Sequence, residues 1–455
     1  MTDGRLIAGV DAARADAFHA SESERYAAAR PRSAAMASAL ADGFYDGVPM
    51  HWMRDWPTPF PMHVAEAVGA SITDIDGHVL ADFCLGDTGS MFGHSPEPIA
   101  RAIREQAGIG LTYMLPTPAA SQIGPLLRER FGLPHWQVAT TATDANRFAL
   151  RMARAVTGRS KILVFNGCYH GSVEETFLRM RDGAPILRPG VLGQDRDLTR
   201  TSVVVEFNDV PALEAALSRR DIACVITEPV LTNCAMVQPE PGFLDAVRRL
   251  TRATGTLLLI DETHTISTGP GGYTARHGLE PDIFVCGKPI AGGIPASIWG
   301  FTDAVAKGFT EARARNPGYS GMGTTLSANA LALACMYAAL TEVMTDAAYA
   351  HMESLAERLD QGLSAVITRR GLPWHVARVG ARIEFIFAPA PLRNGTEAEA
   401  THIAALERAV HLGLLNRGVL IAPFHNMMLI CPATTAADVD RLVAAFDDVT
   451  KALTQ

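Results

Sequence analysis

Two short apolar runs near the middle of the chain constrain its fold more than any other feature. Leu257-Leu258-Leu259-Ile260 follows Gly255-Thr256 and ends on Asp261, and Ile283-Phe284-Val285-Cys286 ends on Gly287-Lys288-Pro289. Runs this short, closed by turn residues, read as strands buried on both faces, which implies a parallel sheet covered by helices. In open α/β sheets, ligands sit beyond the carboxyl ends of the strands. Asp261 and Lys288, 27 residues apart in the sequence, are therefore predicted to face one crevice.

Lysine is scarce. It occurs four times (Lys161, Lys288, Lys307, Lys451) among 40 basic residues. A chain that otherwise uses arginine has a reason for lysine where an imine must form, since a guanidinium cannot do that chemistry. Lys161, Lys307 and Lys451 stand in contexts that read as solvated surface. Lys288 stands between Gly287 and Ile290-Ala291-Gly292-Gly293. A desolvated lysine beside a buried acid suits pyridoxal phosphate: the lysine forms a Schiff base with the aldehyde, and Asp261 keeps the pyridine nitrogen protonated.

The surrounding pattern alternates. Strands are predicted at 136–140, 161–165, 202–206, 222–227, 256–260, 283–286 and 297–301. Helices are predicted at 98–108, 119–130, 143–157, 211–219 and 241–254. Such alternation gives a mostly parallel sheet with covering helices. After 346 come a long helix to about 369, strands near 374–388, a helix at 398–416, two short strands and a final helix at 436–453. Before the sheet, an alanine-rich arm of two helices divided at Pro31 leads to an aromatic loop around Trp52 and then to hairpin-like runs around Asp74-Ile75-Asp76-Gly77. The expected division is 1–95 for the arm and a small-domain segment, 96–345 for the large domain and 346–455 for a small carboxyl-terminal domain.

The blocks Asp261-Glu262-Thr263 and Gly287-Lys288-Pro289-Ile290-Ala291-Gly292-Gly293-Ile294-Pro295 resemble those of the class III pyridoxal-phosphate-dependent aminotransferases, nearest their glutamate-1-semialdehyde aminomutase-like subgroup. The resemblance runs from about Phe60 to the carboxyl terminus. It implies the fold type I α/β architecture, a mostly parallel seven-stranded sheet with helices on both faces and a smaller α+β domain.

The same resemblance implies further contacts. Thr140-Thr141-Ala142-Thr143 takes the place of the phosphate loop, with Ala142 and Thr143 as cofactor contacts, although the family usually has glycine where Ala142 stands. From these residues alone an ordinary helix cap at Thr141 or Thr143 is the better reading, which the match to the phosphate loop reverses. Tyr169, before His170-Gly171, takes the place of the aromatic that stacks on the ring, and otherwise simply closes a strand end. Glu228 and Asn233 match residues placed beside the ring, with a structural hydrogen bond as the plainer role for Glu228. Thr263 replaces the valine that packs under the ring. Thr325 matches the threonine that reaches the phosphate of a neighbouring subunit, which implies a homodimer with shared sites; its plainer role is a helix cap.

Substrate contacts are expected from Trp52, Arg54 and His425. The aromatic loop fits a hydrophobic plug and a pocket wall equally, and Arg54 fits solvent as well as a carboxylate. The stretch 421–428 lacks arginine, so an apolar amine or hydrophobic amino acid is favoured. His94 reads as a structural hydrogen-bonding group, and His264 either as such a group or as a pocket residue.

Composition excludes other classes. A net charge of −8 gives no basic face for nucleic acid or anionic membrane. Seven scattered cysteines, never in a C-x-x-C pair, argue against disulfides or a zinc site and for the cytoplasm. The first residues lead into no apolar signal core, and the run Ala328–Met344 reads as a buried helix. No phosphate-binding G-x-x-x-x-G-K-[ST] or G-x-G-x-x-G is present. The expected activity is amino-group transfer from an amine to a carbonyl acceptor, with an aminomutase or epimerase as the alternative on the same lysine.

Overall fold

The computed structural model describes residues 5–194, 197–316 and 320–455; Met1–Gly4, part of the amino-terminal stretch read above, lie outside them. The chain divides into two compact units. One comprises Met1–Pro96, Ala350–Pro391 and Thr401–Gln455, and the other Glu97–Tyr349 and Leu392–Ala400.

The second unit holds a seven-stranded sheet in the spatial order Ser202–Val205, Lys161–Phe165, Ile222–Thr227, Leu257–Asp261, Ile283–Cys286, Ser297–Phe301, His135–Ala139. The first five strands pair in parallel, while Ser297–Phe301 is antiparallel to both its neighbours. Side chains alternate between two cores. Ile162 and Val164 enter one, with the helix Ala142–Thr157, and Leu163 and Phe165 enter the other, with the helix Phe243–Thr254. That is why these strands read as unbroken apolar runs: both faces are covered. The helices close with glycines in the left-handed region at Gly158 and Gly255, a conformation that only glycine adopts cheaply.

The predicted buried helix over 328–344 is present with a difference. Ala330–Ala338 is α-helical, and Ala339–Val343 widens into a π-turn. Among the described residues no single helix is long and apolar enough to cross a membrane.

The first unit carries two small sheets. Val419–Leu420, Val79–Asp82, Ser71–Asp74 and Val64–Val68 form one, and His375–Val379, Arg382–Ile386 and Met427–Leu429 form the other. The arm folds as helices Ala12–Ala29 and Pro31–Leu40, divided at Arg30. Proline is tolerated at a helix start because its missing N–H would be unbonded there. Arg30 is buried and donates from Nε to Asp74 Oδ2 at 2.9 Å. The helix expected over 398–416 starts later. Gly395–Glu399 is a separate turn, and the main helix runs Ala404–Leu415. The final helix, Ala436–Thr454, opens on a capping box of Thr435 and Asp438.

Candidate active site

Five segments of the second unit converge at the carboxyl edge of its sheet. Asp261 is the last residue of its strand, Glu228 follows Thr227, and Lys288 lies two residues beyond Cys286. Asn166–Gly171 follows Phe165, and the helix from Ala142 follows the strand ending at Ala139. Parallel strands bring their ends to one edge whatever their separation in the chain.

Asp261 is buried at 3 % exposure with both oxygens engaged. Oδ2 accepts from Asn146 Nδ2 at 2.9 Å and meets His170 Nδ1 at 3.0 Å. Oδ1 accepts from Thr263 Oγ1 at 2.6 Å and from the Thr263 amide at 3.1 Å. Burial opposes the charge, but the His170, Thr263 and Asn146 contacts outweigh it and hold the carboxyl below its ordinary pKa. Burial also opposes a charged His170, yet its bonds to Asp261 and Cys168 raise it to about 10. Cys168 is likewise pulled below the usual thiol value, against its burial, by His170 and Arg179. The result is a buried carboxylate fixed as an anion.

Thr263 does more than replace a valine. Its Oγ1 donates to Asp261 and accepts from the Gly287 amide at 3.2 Å, tying the acid to the turn that presents the lysine. Lys288 has φ +48°, a left-handed conformation that is strained for a side chain of this kind and typical of functional positions. Its Nζ lies 3.0 Å from His264 Nε2. The next acid, Glu262, is satisfied elsewhere, by Thr265 Oγ1 at 2.5 Å and by the amides of Tyr273 and Thr274; burial raises its pKa.

Thr141 caps the helix that begins at Ala142, accepting from the Asp144 amide. The plainer reading of this loop is thus realised at Thr141. The amides of the first turn still point out of the helix end, where an anion is favoured. Thr143 Oγ1 accepts from the Ser172 amide at 3.2 Å. A Cβ on Gly287 would come within 2.8 Å of the Ala142 Cβ, so glycine is required where the lysine turn meets this helix.

Tyr169 is half-buried, with the Arg188 guanidinium 5.4 Å from its ring centre. Glu228 is buried and accepts from Thr232 Oγ1, as its structural reading requires, and Asn233 Nδ2 lies 3.5 Å from Thr232 Oγ1. Thr325 is exposed and lines a 430 Å³ cavity with Tyr113, Leu115 and Asn329.

The expected substrate residues belong to the first unit. Trp52 and Arg54 lie on the short turn His51–Arg54, both exposed, with the Trp52 ring 5.7 Å from that of Phe424. Met50, Trp52 and Met53 are exposed in this loop, whereas Val48 is buried. His425 is buried, with Nδ1 3.3 Å from Glu384 Oε1. His94 does hydrogen-bond structurally, to Asp82 at 2.7 Å.

Sequence reasoning passed over Asn146 and His170. Asn146 and His170 each sit within motifs already singled out, and a polar residue there on an otherwise apolar helix face or strand end was the available signal.

An acid held ionised, a lysine on the adjoining strand end and a helix start with free amides together fit the ring nitrogen, aldehyde and phosphate of pyridoxal phosphate. The model for aminotransferase class III matches residues 53–453. A glutamate-1-semialdehyde 2,1-aminomutase of Anaeromyxobacter dehalogenans is 32% identical over 391 residues, 85% of this chain and 89% of that one. The crystal structure of a glutamate-1-semialdehyde aminomutase from Pseudomonas aeruginosa PAO1 superposes with a TM-score of 0.96 at 48% identity, covering 98% of this chain and 100% of that one. A lysine-to-alanine variant of such an aminomutase from that strain, in complex with PMP, gives 0.95 at 47%, with the same coverage. A β-phenylalanine aminotransferase from Variovorax paradoxus gives 0.84 at 27%, covering 95% of this chain and 97% of that one. The chain therefore belongs to the class III aminotransferases and is a pyridoxal-phosphate-dependent enzyme of fold type I.

Proposed function

We propose that this enzyme moves an amino group within a single substrate, as an aminomutase, using Lys288 and Asp261. The observation that carries the chemistry is the pair of adjoining strand ends, one presenting a strained lysine and the other a carboxylate held anionic. The choice of transfer within one molecule is supported by relatives described as glutamate-1-semialdehyde aminomutases.

When bound, pyridoxal phosphate supplies an aldehyde that captures amines and a ring that withdraws electrons. The protein's residues do the rest. Lys288 would hold the aldehyde at rest and, once freed, carry a proton on Nζ between carbon positions. Asp261 would keep the ring nitrogen protonated, with His170, Asn146 and Thr263 preserving its charge. The amides of Ala142 and Thr143 would hold the phosphate, Tyr169 would stack on the ring, and Glu228, Asn233 and Thr263 would complete its rim. Trp52, Arg54 and His425 would contact substrate.

A second reading, transfer to a separate carbonyl acceptor, is favoured by the exposed Trp52–Phe424 pair and by the lack of arginine in 421–428. An apolar donor would suit those rings. The two readings separate on one measurement, turnover of glutamate 1-semialdehyde with no oxo acid added. Formation of the isomer with the amine on carbon 1 supports the mutase. An absolute requirement for a second carbonyl compound rules it out.

The assembly we propose is a homodimer in which Thr325 reaches the partner's phosphate. Tyr113, Met114 and Leu115 line the same cavity as Thr325 and are exposed, and exposed apolar side chains grouped in this way mark an interface. A monomer mass by sedimentation of the holoenzyme would count against it. Seven cysteines that are all buried, none of them in a C-x-x-C pair, support a working location in the cytoplasm; disulfides found in protein purified from its own cells would contradict that placement.

A further inference from the structure

A hairpin of Leu178–Arg181 and Ala184–Leu187 follows the segment 166–171, which carries Tyr169. Asp182 and Gly183 both take positive φ, +51° and +74°, as in the tight two-residue turns whose twist matches paired strands. Leu178 stands opposite Leu187 and Arg179 opposite Ile186. The Arg188 amide extends the ladder by donating to the Phe177 carbonyl at 2.7 Å. Side chains alternate along a strand, and opposite partners share a face. Leu178 and Met180 accordingly pack on the apolar core, while Arg179 and Arg188 share the other face.

The hairpin meets the segment 166–171 in three places. The Met180 amide donates to Asn166 Oδ1 at 2.9 Å. Arg179 Nη2 donates to the Cys168 carbonyl at 2.8 Å, and its Nη1 donates to the Leu178 carbonyl at 2.9 Å. These two contacts fix the backbone on its approach to Tyr169. The third reaches the ring itself, with the Arg188 guanidinium carbon 5.4 Å from its centre. Arg188 is half-buried, and burial, followed by the neighbouring Arg179 cation, acts against its charge. The negative face of an aromatic ring offsets part of that cost, and a planar guanidinium lies well against it.

A tyrosine ring is not oriented by its backbone alone, because its second torsion lies in a broad well. We infer that Arg188 is a positioning residue for Tyr169: its guanidinium, laid over the ring, fixes the plane in which that ring meets the cofactor. The hairpin thus holds the aromatic from two arginines, one on the backbone before it and one on the ring. The inference rests on the reading of Tyr169 as the group that stacks on pyridoxal phosphate.

The test is a double-mutant cycle on the full-length protein, freed of cofactor and titrated with pyridoxal phosphate to equilibrium. Arg188→Met removes the charge and the planar group, Arg188→Lys keeps the cation, and Tyr169→Leu removes the ring. Arg188→Met is expected to weaken binding about fivefold, corresponding to about 1 kcal/mol, and Arg188→Lys about twofold. With Tyr169→Leu already present, Arg188→Met should cost less than about twofold, because its partner is gone. The circular dichroism of the visible band, taken per bound cofactor, reads the orientation of the cofactor ring. It is expected to fall in Arg188→Met and to return in Arg188→Lys. Should the Met variant not fold, Arg188→Gln, which is neutral, takes its place in the cycle. Unchanged binding on removal of the charge, or the same loss in both backgrounds, would overturn the positioning role alone. A Tyr169→Leu protein that binds the cofactor as tightly as the parent would overturn the stacking assignment, and this role with it.

Discussion

His170 Nδ1 lies 3.0 Å from Asp261 Oδ2, with both side chains buried and neither backed by bulk water. The pair spans two strand ends, 91 residues apart in sequence. Each partner shifts the other toward its charged form, which converts a costly buried acid into a fixed negative point in the site.

The pH dependence follows from those shifts. His170 has a folded pKa raised to about 10 from 6.5, so its stabilisation is complete below about 6.5 and is lost as pH rises toward 10. Asp261 is lowered from 3.8, so its contribution is present above about 4 and is lost as pH falls through its folded value. The pair thus contributes most between about pH 4 and 6.5. His170→Gln is expected to destabilise the cofactor-free protein by about 3 kcal/mol at pH 6, the usual consequence of stranding a buried charge. The loss should shrink at pH 9.5. Urea denaturation midpoints at the two pH values check this, and an equal loss at both would show that His170 is not charged in the fold.

Lys288 combines a reactive amine with an unfavourable backbone. Replacing it by alanine or by glycine should abolish the visible band equally. The two variants should nevertheless differ in stability, since glycine adopts φ near +48° without the Cβ clash that alanine retains. Lys288→Gly is expected to be more stable than Lys288→Ala by about 1 kcal/mol. Thermal melts of the two cofactor-free proteins measure the difference, and the opposite order would mean that the strain is relieved in solution.

At Gly287 the constraint is steric. Alanine there would press on the Ala142 Cβ at 2.8 Å and its amide nitrogen at 3.3 Å, displacing the first turn proposed to hold the phosphate. Gly287→Ala should weaken pyridoxal phosphate binding about tenfold or more. Adding Ala142→Gly should recover part of the loss, because the nearest obstructing atom is then gone. Equilibrium titration of the single and double variants provides the comparison, and purely additive losses would deny the contact.

Much of the fold was legible because its strands are covered on both sides. The runs at 161–165, 222–227, 283–286 and 297–301 have the bounds their apolar composition predicts. The strand before Asp261 is displaced by one residue and takes the acid in as its last member. The hairpin Leu178–Arg181 with Ala184–Leu187 escaped notice even though Asp182-Gly183 marks its turn, since Arg179, Arg181 and Pro185 mask a strand pattern. The helix beginning at Ala404 starts later than its sequence pattern suggests because Glu397, Ala398 and Glu399 of the turn Gly395–Glu399 are themselves helix-favouring residues.

By itself the sequence pointed to the residues proposed to carry the chemistry. Lysine, aspartate and a helix start stand at the ends of short apolar runs bounded by turn residues, which read as buried strands. Tertiary structure alone decided which side chains serve them. Asn146 and His170 gain their roles from contacts of 2.9 and 3.0 Å made between different elements. Periodicity in a sequence reports which face of an element is buried, whereas a hydrogen bond between elements depends on register and rotamer, which only the packed molecule fixes.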